Sequence, residues 1–197
     1  MAIRPIEIRS AARSEMKHAI AVIVSAFIAD PPARFAWPSP YDYLENMPLA
    51  TRAFAGSCFE HETAYVSADL CGVALWLPPG VEPESASVEK MFRETAKPEH
   101  LDDLLATFER MEQSHPREPH WYLPQIGVDP QAQGKGIGEA LMRHALERCD
   151  KERTLAYLEA SKPANIPFYE RHGFEVVAQI KVGAGPLVTP MFRRPLR

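Results

Sequence analysis

The sequence predicts a mixed α/β fold, a sheet with helices packed against it. Three observations carry this reading. Apolar periodicity switches between strand and helix spacing in the order β-α-α-β-β-α-β-α-β-α-β-β. The chain has 197 residues, 46% hydrophobic and 24% charged, which suits one domain spanning 1–197 with a substantial core. No internal repeat or low-complexity tract interrupts it.

Taken in order, "PIEIR" at 5–9 alternates like a short strand, and apolar residues at helical spacing follow from about Ser14 to Ile28. "DPPARFAWPSP", Asp30 to Pro40, reads as a loop, because its four prolines remove backbone donors and bias their predecessors away from helix. A second helix covers Tyr41 to Ala55. "TAYVSADLCGVALWLPPG" reads as an antiparallel hairpin turning at Ala68 to Cys71 and stopped by Pro-Pro-Gly. The stretch from Glu84 to Pro116 is helical in composition and breaks near Pro98. From His120 onward, "HWYLPQIGV" is a strand, "QGKGIGEALMRHALERCD" a helix opened by glycines, "TLAYLEAS" a strand, and "PANIPFYERHG" a short helix ended by Gly173. "FEVVAQIKV" and "LVTPMFRRP" give two closing strands.

Composition excludes several classes of function. A formal net charge of -4 is wrong for a protein that coats nucleic acid. Cys58, Cys71 and Cys149 are odd in number and lack CxxC spacing, so they read as reduced small hydrophobes rather than a disulfide or zinc framework. His144 and His172 show no HExxH or other ligand spacing, so no metal is implied. "MAIRPIEIRS" has no apolar leader region, and the run from Ala19 is too short to span a bilayer. The expectation is a cytoplasmic protein acting on a small partner, with neither nucleic acid nor membrane; a homodimer is an admissible assembly.

The most informative stretch is "QAQGKGIGEAL", Gln131 to Leu141. A P-loop needs a glycine where Asp129 stands and a Ser or Thr where Gly136 stands. The dinucleotide fingerprint needs a glycine where Glu139 stands, and no N-terminal βαβ unit precedes it. What remains is a tight turn whose successive amides, from Gln133 to Glu139, open a helix and converge on an anion such as a pyrophosphate.

These residues carry a family resemblance. Gln133-x-x-Gly136-x-Gly138, after "IGVDP" and before "EALM", resembles the signature of the GNAT superfamily of N-acetyltransferases, and "YLEASKPANIPFYERHGFEV" resembles that family's next strand and helix. Within the superfamily the pattern is closest to the puromycin N-acetyltransferase-like branch. The resemblance implies one N-acetyltransferase domain over 1–197, built on a mostly antiparallel sheet of six to seven strands with helices on both faces. It implies a splay between the strand from about Trp121 to Val128 and the strand from Leu155 to Ala160, with acetyl-CoA as co-substrate lying in the gap. Pro124, unable to donate to a ladder, fits a bulge or edge at such a splay. The cofactor would then meet Ile126, Gly127 and Val128 on the strand, Gln133, Gly134, Lys135, Gly136, Ile137 and Gly138 on the loop, and Asn165 beyond the second strand. Asn165 also suits an ordinary helix cap, Lys135 ordinary solvation, and Ile137 the core.

Acetyl transfer to an amine needs a base for the ammonium proton, a donor for the oxyanion and a group to receive the departing thiolate. The resemblance assigns the oxyanion to the Val128 N–H and the thiolate to Tyr169. Glu159 is the first candidate base and His120 the second, with water as the alternative. Trp37, Tyr41 and Tyr43 are candidates to wall an apolar amine. The expected activity is direct transfer from acetyl-CoA to a small-molecule amine in a ternary complex. The alternative is an acyl-CoA binding or sensing module that has lost turnover, in which Tyr169→Phe changes nothing.

Overall fold

The computed structural model describes residues 5–196. The strands are β1 (Ile8–Ser10), β2 (Ala64–Ser67), β3 (Gly72–Leu77), β4 (His120–Val128), β5 (Leu155–Ala160), β6 (Glu175–Val176) and β7 (Thr189–Arg193). The helices are α1 (Met16–Ala26), α2 (Pro31–Ala36), α3 (Pro40–Ala55), α4 (Ser85–Thr95), α5 (Leu101–Ser114), α6 (Ile137–Glu152) and α7 (Ile166–Glu170). The strands form one seven-stranded sheet in the order β1-β2-β3-β4-β5-β7-β6. Every pairing is antiparallel except β4 with β5, which α6 connects. Among the described residues no helix is long and apolar enough to cross a membrane.

Alternation along the central strands supplies two cores. Val73, Leu75, Tyr122 and Tyr157 face α1, α3, α4 and α5, whereas Ala74, Trp76, Trp121 and Leu158 face α6. Close approach on both faces is bought with glycine. A Cβ at Gly127 would lie 2.7 Å from the Cβ of Ala26 on α1, and one at Gly72 would lie 2.3 Å from Ile137 on α6. Cys58 and Cys149 are free and buried, and Cys71 is free and half-buried.

The splay has a visible cause. Parallel pairing runs from His120↔Leu155 to Leu123↔Leu158 and stops there. The next residue, Pro124, has no N–H. On the other side of β4 the register slips between Leu75↔Gln125 and Leu77↔Tyr122, so β4 bulges around Leu123 and Pro124. Beyond the bulge β4 stays with β3 and leaves β5.

Two expectations need correction. The stretch 30–40 is not wholly loop, because Pro31–Ala36 forms α2. Asp30 caps it by accepting from the Ala33 N–H at 3.2 Å, and Pro31 and Pro32 occupy the first turn, where a missing donor does no harm. "FEVVAQIKV" is not a continuous strand either. Only Glu175–Val176 pairs as β6, followed by an isolated bridge between Ile180 and Val188. Val177 donates to the Pro190 carbonyl at 3.0 Å, but Pro190 has no N–H to return, so the ladder ends.

Arg193 fastens β7 to the end of α6 and to the turn after α7. Its guanidinium is 4% exposed, makes two bonds to Asp150 at 2.7 and 2.8 Å, and donates through Nε to the His172 carbonyl at 2.9 Å. Asp150→Ala leaves that cation buried without its anion, so a loss of about 3–5 kcal/mol is expected in chemical denaturation. Burial pushes the Asp150 carboxyl up, but bonds from Arg193 and the Leu196 N–H outweigh it and hold the group below its ordinary value. A depressed carboxylate stabilises the fold above its unfolded pKa of about 3.9, and that contribution disappears as pH falls through the folded value.

Candidate active site

A cavity of 710 Å³ follows the gap between β4 and β5. Of the residues expected at the cofactor, Ile126, Gly127, Val128, Gln133, Gly134, Gly136, Ile137, Gly138 and Asn165 line it, as do Glu159 and Tyr169. Lys135 does not. Its ammonium turns back to the Gln131 carbonyl at 3.2 Å, closing the loop on itself.

The strand backbone is directed by the sheet. Asp129 N–H donates to the Cys71 carbonyl at 2.8 Å, on the β3 side. Since N–H groups alternate sides along a strand, those of Val128 and Ile126 face the opened side. Gln133 Nε2 donates to the Val128 carbonyl at 3.1 Å and pins the glycine loop against the same strand.

The loop then enters α6 without any side-chain cap. Gly134 and Gly136 adopt positive φ of 75° and 83°, a region that side chains rarely enter. Gly138 is different. A Cβ there would meet only Phe168 and Val128, at ordinary distances of 3.7 and 3.8 Å. Neither backbone nor packing demands glycine at 138, although helix propensity disfavours it by about 1 kcal/mol relative to alanine. The missing side chain leaves open the approach to uncapped N–H groups at a positive helix end, which fits the diphosphate of a coenzyme A thioester.

Asn165 stands at the cap position of α7, yet its side chain makes no cap bond. Tyr169 is buried with its ring among Phe168 and Phe174. Burial and then the charge of Asp30 push its phenol well above the ordinary range, so it stays protonated. Ile137 is both core and cavity wall. Of the three aromatic wall candidates, only Trp37 reaches the cavity, held by its indole N–H to the Thr95 carbonyl at 3.1 Å. Tyr43 is packed inside and donates to the Val24 carbonyl at 2.6 Å, while Tyr41 is 73% exposed.

Glu159 faces the cavity from β5 with its side chain 4% exposed. Three groups around the cavity were not singled out in the sequence. Tyr122 lines it from β4, and burial followed by the Glu159 charge holds its phenol well above the ordinary value. His115, in the loop before β4, approaches Glu159 Oε1 with Nε2 at 3.3 Å. Asp30 lines the cavity, accepts from Ser161 Oγ, and is raised by burial against the hydrogen bonds from Ser161 and the Ala33 N–H. "DPP" is a recognisable cap signal for Asp30, whereas no local signal marks His115 or Tyr122. His120, the second candidate base, is half-buried outside the cavity, and burial lowers its pKa. Among the described residues no group of three or more His, Cys, Asp or Glu is arranged to hold a metal ion.

Comparison with known proteins agrees with this geometry. Residues 104–176 match the family described as Acetyltransferase (GNAT) domain. An uncharacterised N-acetyltransferase of Schizosaccharomyces pombe is 26% identical, with 81% of this chain and 70% of that protein covered. Among solved structures, the histone acetyltransferase HPA2 and related acetyltransferase of Corynebacterium glutamicum superposes with a TM-score of 0.69 at 23% identity, covering 98% of this chain and 97% of that one. The Drosophila melanogaster polyamine N-acetyltransferase gives 0.67 at 15% identity over 96% and 100% of the two chains. Arylalkylamine N-acetyltransferase 2 of Aedes aegypti gives 0.66 at 15% identity over 97% and 99%. Residues 104–176 thus match the GNAT acetyltransferase family, and the whole chain shares the fold of these acetyltransferase structures.

Proposed function

We propose that the chain is a single N-acetyltransferase domain that transfers the acetyl group of acetyl-CoA to the amine of a small molecule in a ternary complex. The observation that carries this reading is the continuity of one cavity from the uncapped start of α6, past the free side of β4, to Glu159 and Tyr169. N–H groups of the glycine loop hold the diphosphate, and the Ile126 and Val128 backbone pairs with the pantetheine arm. Bound acetyl-CoA supplies a thioester carbonyl as acyl donor. Val128 N–H donates to the carbonyl oxygen as negative charge builds on it. Glu159 takes the ammonium proton, and the amine electron pair attacks the acyl carbon. Tyr169 donates a hydrogen bond to the departing sulfur without surrendering its proton, and the second proton, shed by the nitrogen as the tetrahedral adduct collapses, passes to the thiolate through solvent.

A small acceptor is favoured by the aromatic walls of the cavity. Phe27, Trp37, Phe54, Phe92 and Phe108 line it from the end of α1, from α4 and α5, and from the segments around α2 and α3. Such rings bury an apolar amine skeleton, with the carboxyl groups of Asp30 and Glu159 nearby to receive its charge. The polyamine and arylalkylamine acetyltransferases that share the fold act on small amines.

Calorimetric titration with acetyl-CoA, followed by thiol-release assays over a panel of small amines, tests the proposal. Micromolar binding with amine-dependent thiol release is expected. Binding without turnover on any amine favours an acyl-CoA binding module, and no binding by folded protein removes the acetyltransferase mechanism. Tyr169→Phe is expected to lower kcat about 10- to 100-fold, the value of one hydrogen bond to a charged group, with acetyl-CoA affinity unchanged. Unchanged turnover at saturating acetyl-CoA would take Tyr169 out of the mechanism.

A further inference from the structure

Next to Glu159, outside the residues that line the cavity, two imidazoles lie in series. His115 Nε2 is 3.3 Å from Glu159 Oε1, and His115 Nδ1 is 3.1 Å from His120 Nε2. His120 Nδ1 is 2.9 Å from the Glu118 carbonyl. The His115 ring is 16% exposed and packs on Tyr157 and Tyr122, with centroids at 4.4 and 4.6 Å. Glu159 Oε1 and the Tyr157 hydroxyl are both buried without a partner of hydrogen-bond geometry.

Hydrogen-bond chemistry assigns the tautomers. The Glu118 carbonyl only accepts, so His120 Nδ1 carries a hydrogen. Neutral His120 therefore offers a lone pair at Nε2, and His115 donates to it through Nδ1. Neutral His115 in that tautomer presents a bare Nε2 to Glu159 Oε1. Two acceptor atoms stand 3.3 Å apart without hydrogen-bond geometry, so a proton shared between them also requires the Glu159 carboxyl to turn toward the ring.

We propose that His115 and His120 form a relay that carries the amine's proton from the Glu159 carboxylate to the protein surface. The inference rests on the reading of Glu159 as the base. Glu159 takes the proton that leaves the nitrogen as its electron pair attacks the acyl carbon. That proton passes to His115 Nε2 while the Nδ1 hydrogen of His115 passes to His120 Nε2. His120, then an imidazolium, releases its Nδ1 proton past the exposed Glu118 carbonyl to bulk water, and a turn of both rings restores the starting tautomers for the next turnover. Burial lowers the His120 pKa and favours that release. The other titratable groups facing this chain are Tyr122 and Tyr157, which burial and then Glu159 hold protonated, and Glu82, whose charge acts on His120 from the loop after β3. His115 and His120 are positioning and relay residues; Glu159 alone meets the substrate.

Two measurements test the relay. The first is a pH titration of the ¹⁵N-labelled imidazoles by NMR, which needs no acceptor. It is expected to show Nδ1–H on both His120 and His115, and a His115 Nε2 resonance that changes in Glu159→Gln. A His115 Nε2 resonance identical in both proteins overturns the relay. The second is kinetic, with 2-phenylethylamine as acceptor. His115→Asn is expected to lower kcat/KM for the amine about 100-fold, with acetyl-CoA affinity unchanged and a shifted acid limb in the pH profile. In His115→Gly, added imidazole restores rate saturably. A folded His115→Asn with wild-type rate and profile overturns the relay while leaving Glu159 as base. A fully active Glu159→Gln removes the base and the relay together. If the His115 variants do not fold, His120→Gln at the outer end decides, since an unchanged acid limb there overturns the relay.

Discussion

Replacing Glu159 by glutamine is expected to lower kcat/KM for the amine by about 10²- to 10⁴-fold, the range that a positioned general base contributes. The carboxamide keeps the shape and accepts hydrogen bonds, but it does not take up a proton at neutral pH. Glu159 is 4% exposed, so bulk water has little access to the position where the proton must go. Tyr122 and Tyr157 are held protonated nearby and do not compete for the substrate's proton. Acetyl-CoA affinity, measured by calorimetry, should stay within about twofold, because the loop and strand proposed to hold it are separate from β5. Wild-type kcat/KM in the folded variant would hand the proton to water or to Asp30.

How much of this was legible in the sequence depends on how local each feature is. Strand, glycine loop, helix, strand and short helix follow one another from His120 to Gly173, and the chemistry of the loop is written in contiguous residues. The splay was implied by the resemblance, and Pro124 fitted it, because a missing N–H acts where it stands. The relay was not legible, because it depends on register. Tyr122 lies opposite Tyr157 across the parallel pair, and this brings the loop residue His115 against Glu159, 44 positions further along. Periodicity cannot say which of Trp37, Tyr41 and Tyr43 turns inward, since a six-residue helix capped by Asp30 reorients the segment. Lys135 misled for a related reason. A lysine beside a phosphate cradle is electrostatically attractive, but a carbonyl four residues back lay within its reach.

Gly136→Glu is expected to abolish measurable acetyl-CoA binding while leaving a folded protein. Two effects act together, and they are separable. At a φ of 83°, a side chain pays a backbone strain of about 1–2 kcal/mol, and Gly136→Ala isolates that part. The alanine Cβ meets nothing closer than Ile6 at 3.7 Å, so the strain is not compounded by a clash. Glutamate adds a negative charge at the uncapped start of α6, the proposed seat of the diphosphate. Two unit charges about 5 Å apart in a partly solvated site repel by about 3 kcal/mol, or roughly a hundredfold in affinity for each phosphate charge opposed. Paired calorimetric titrations with acetyl-CoA should therefore give a modest loss for alanine and no detectable heat for glutamate, with thermal unfolding of the two variants within a few degrees. Equal losses in both would place the effect in the backbone of the loop and not in the anion it cradles. Wild-type affinity in both would move the diphosphate away from α6 altogether, and Gly138 would then have no ligand to explain its missing side chain.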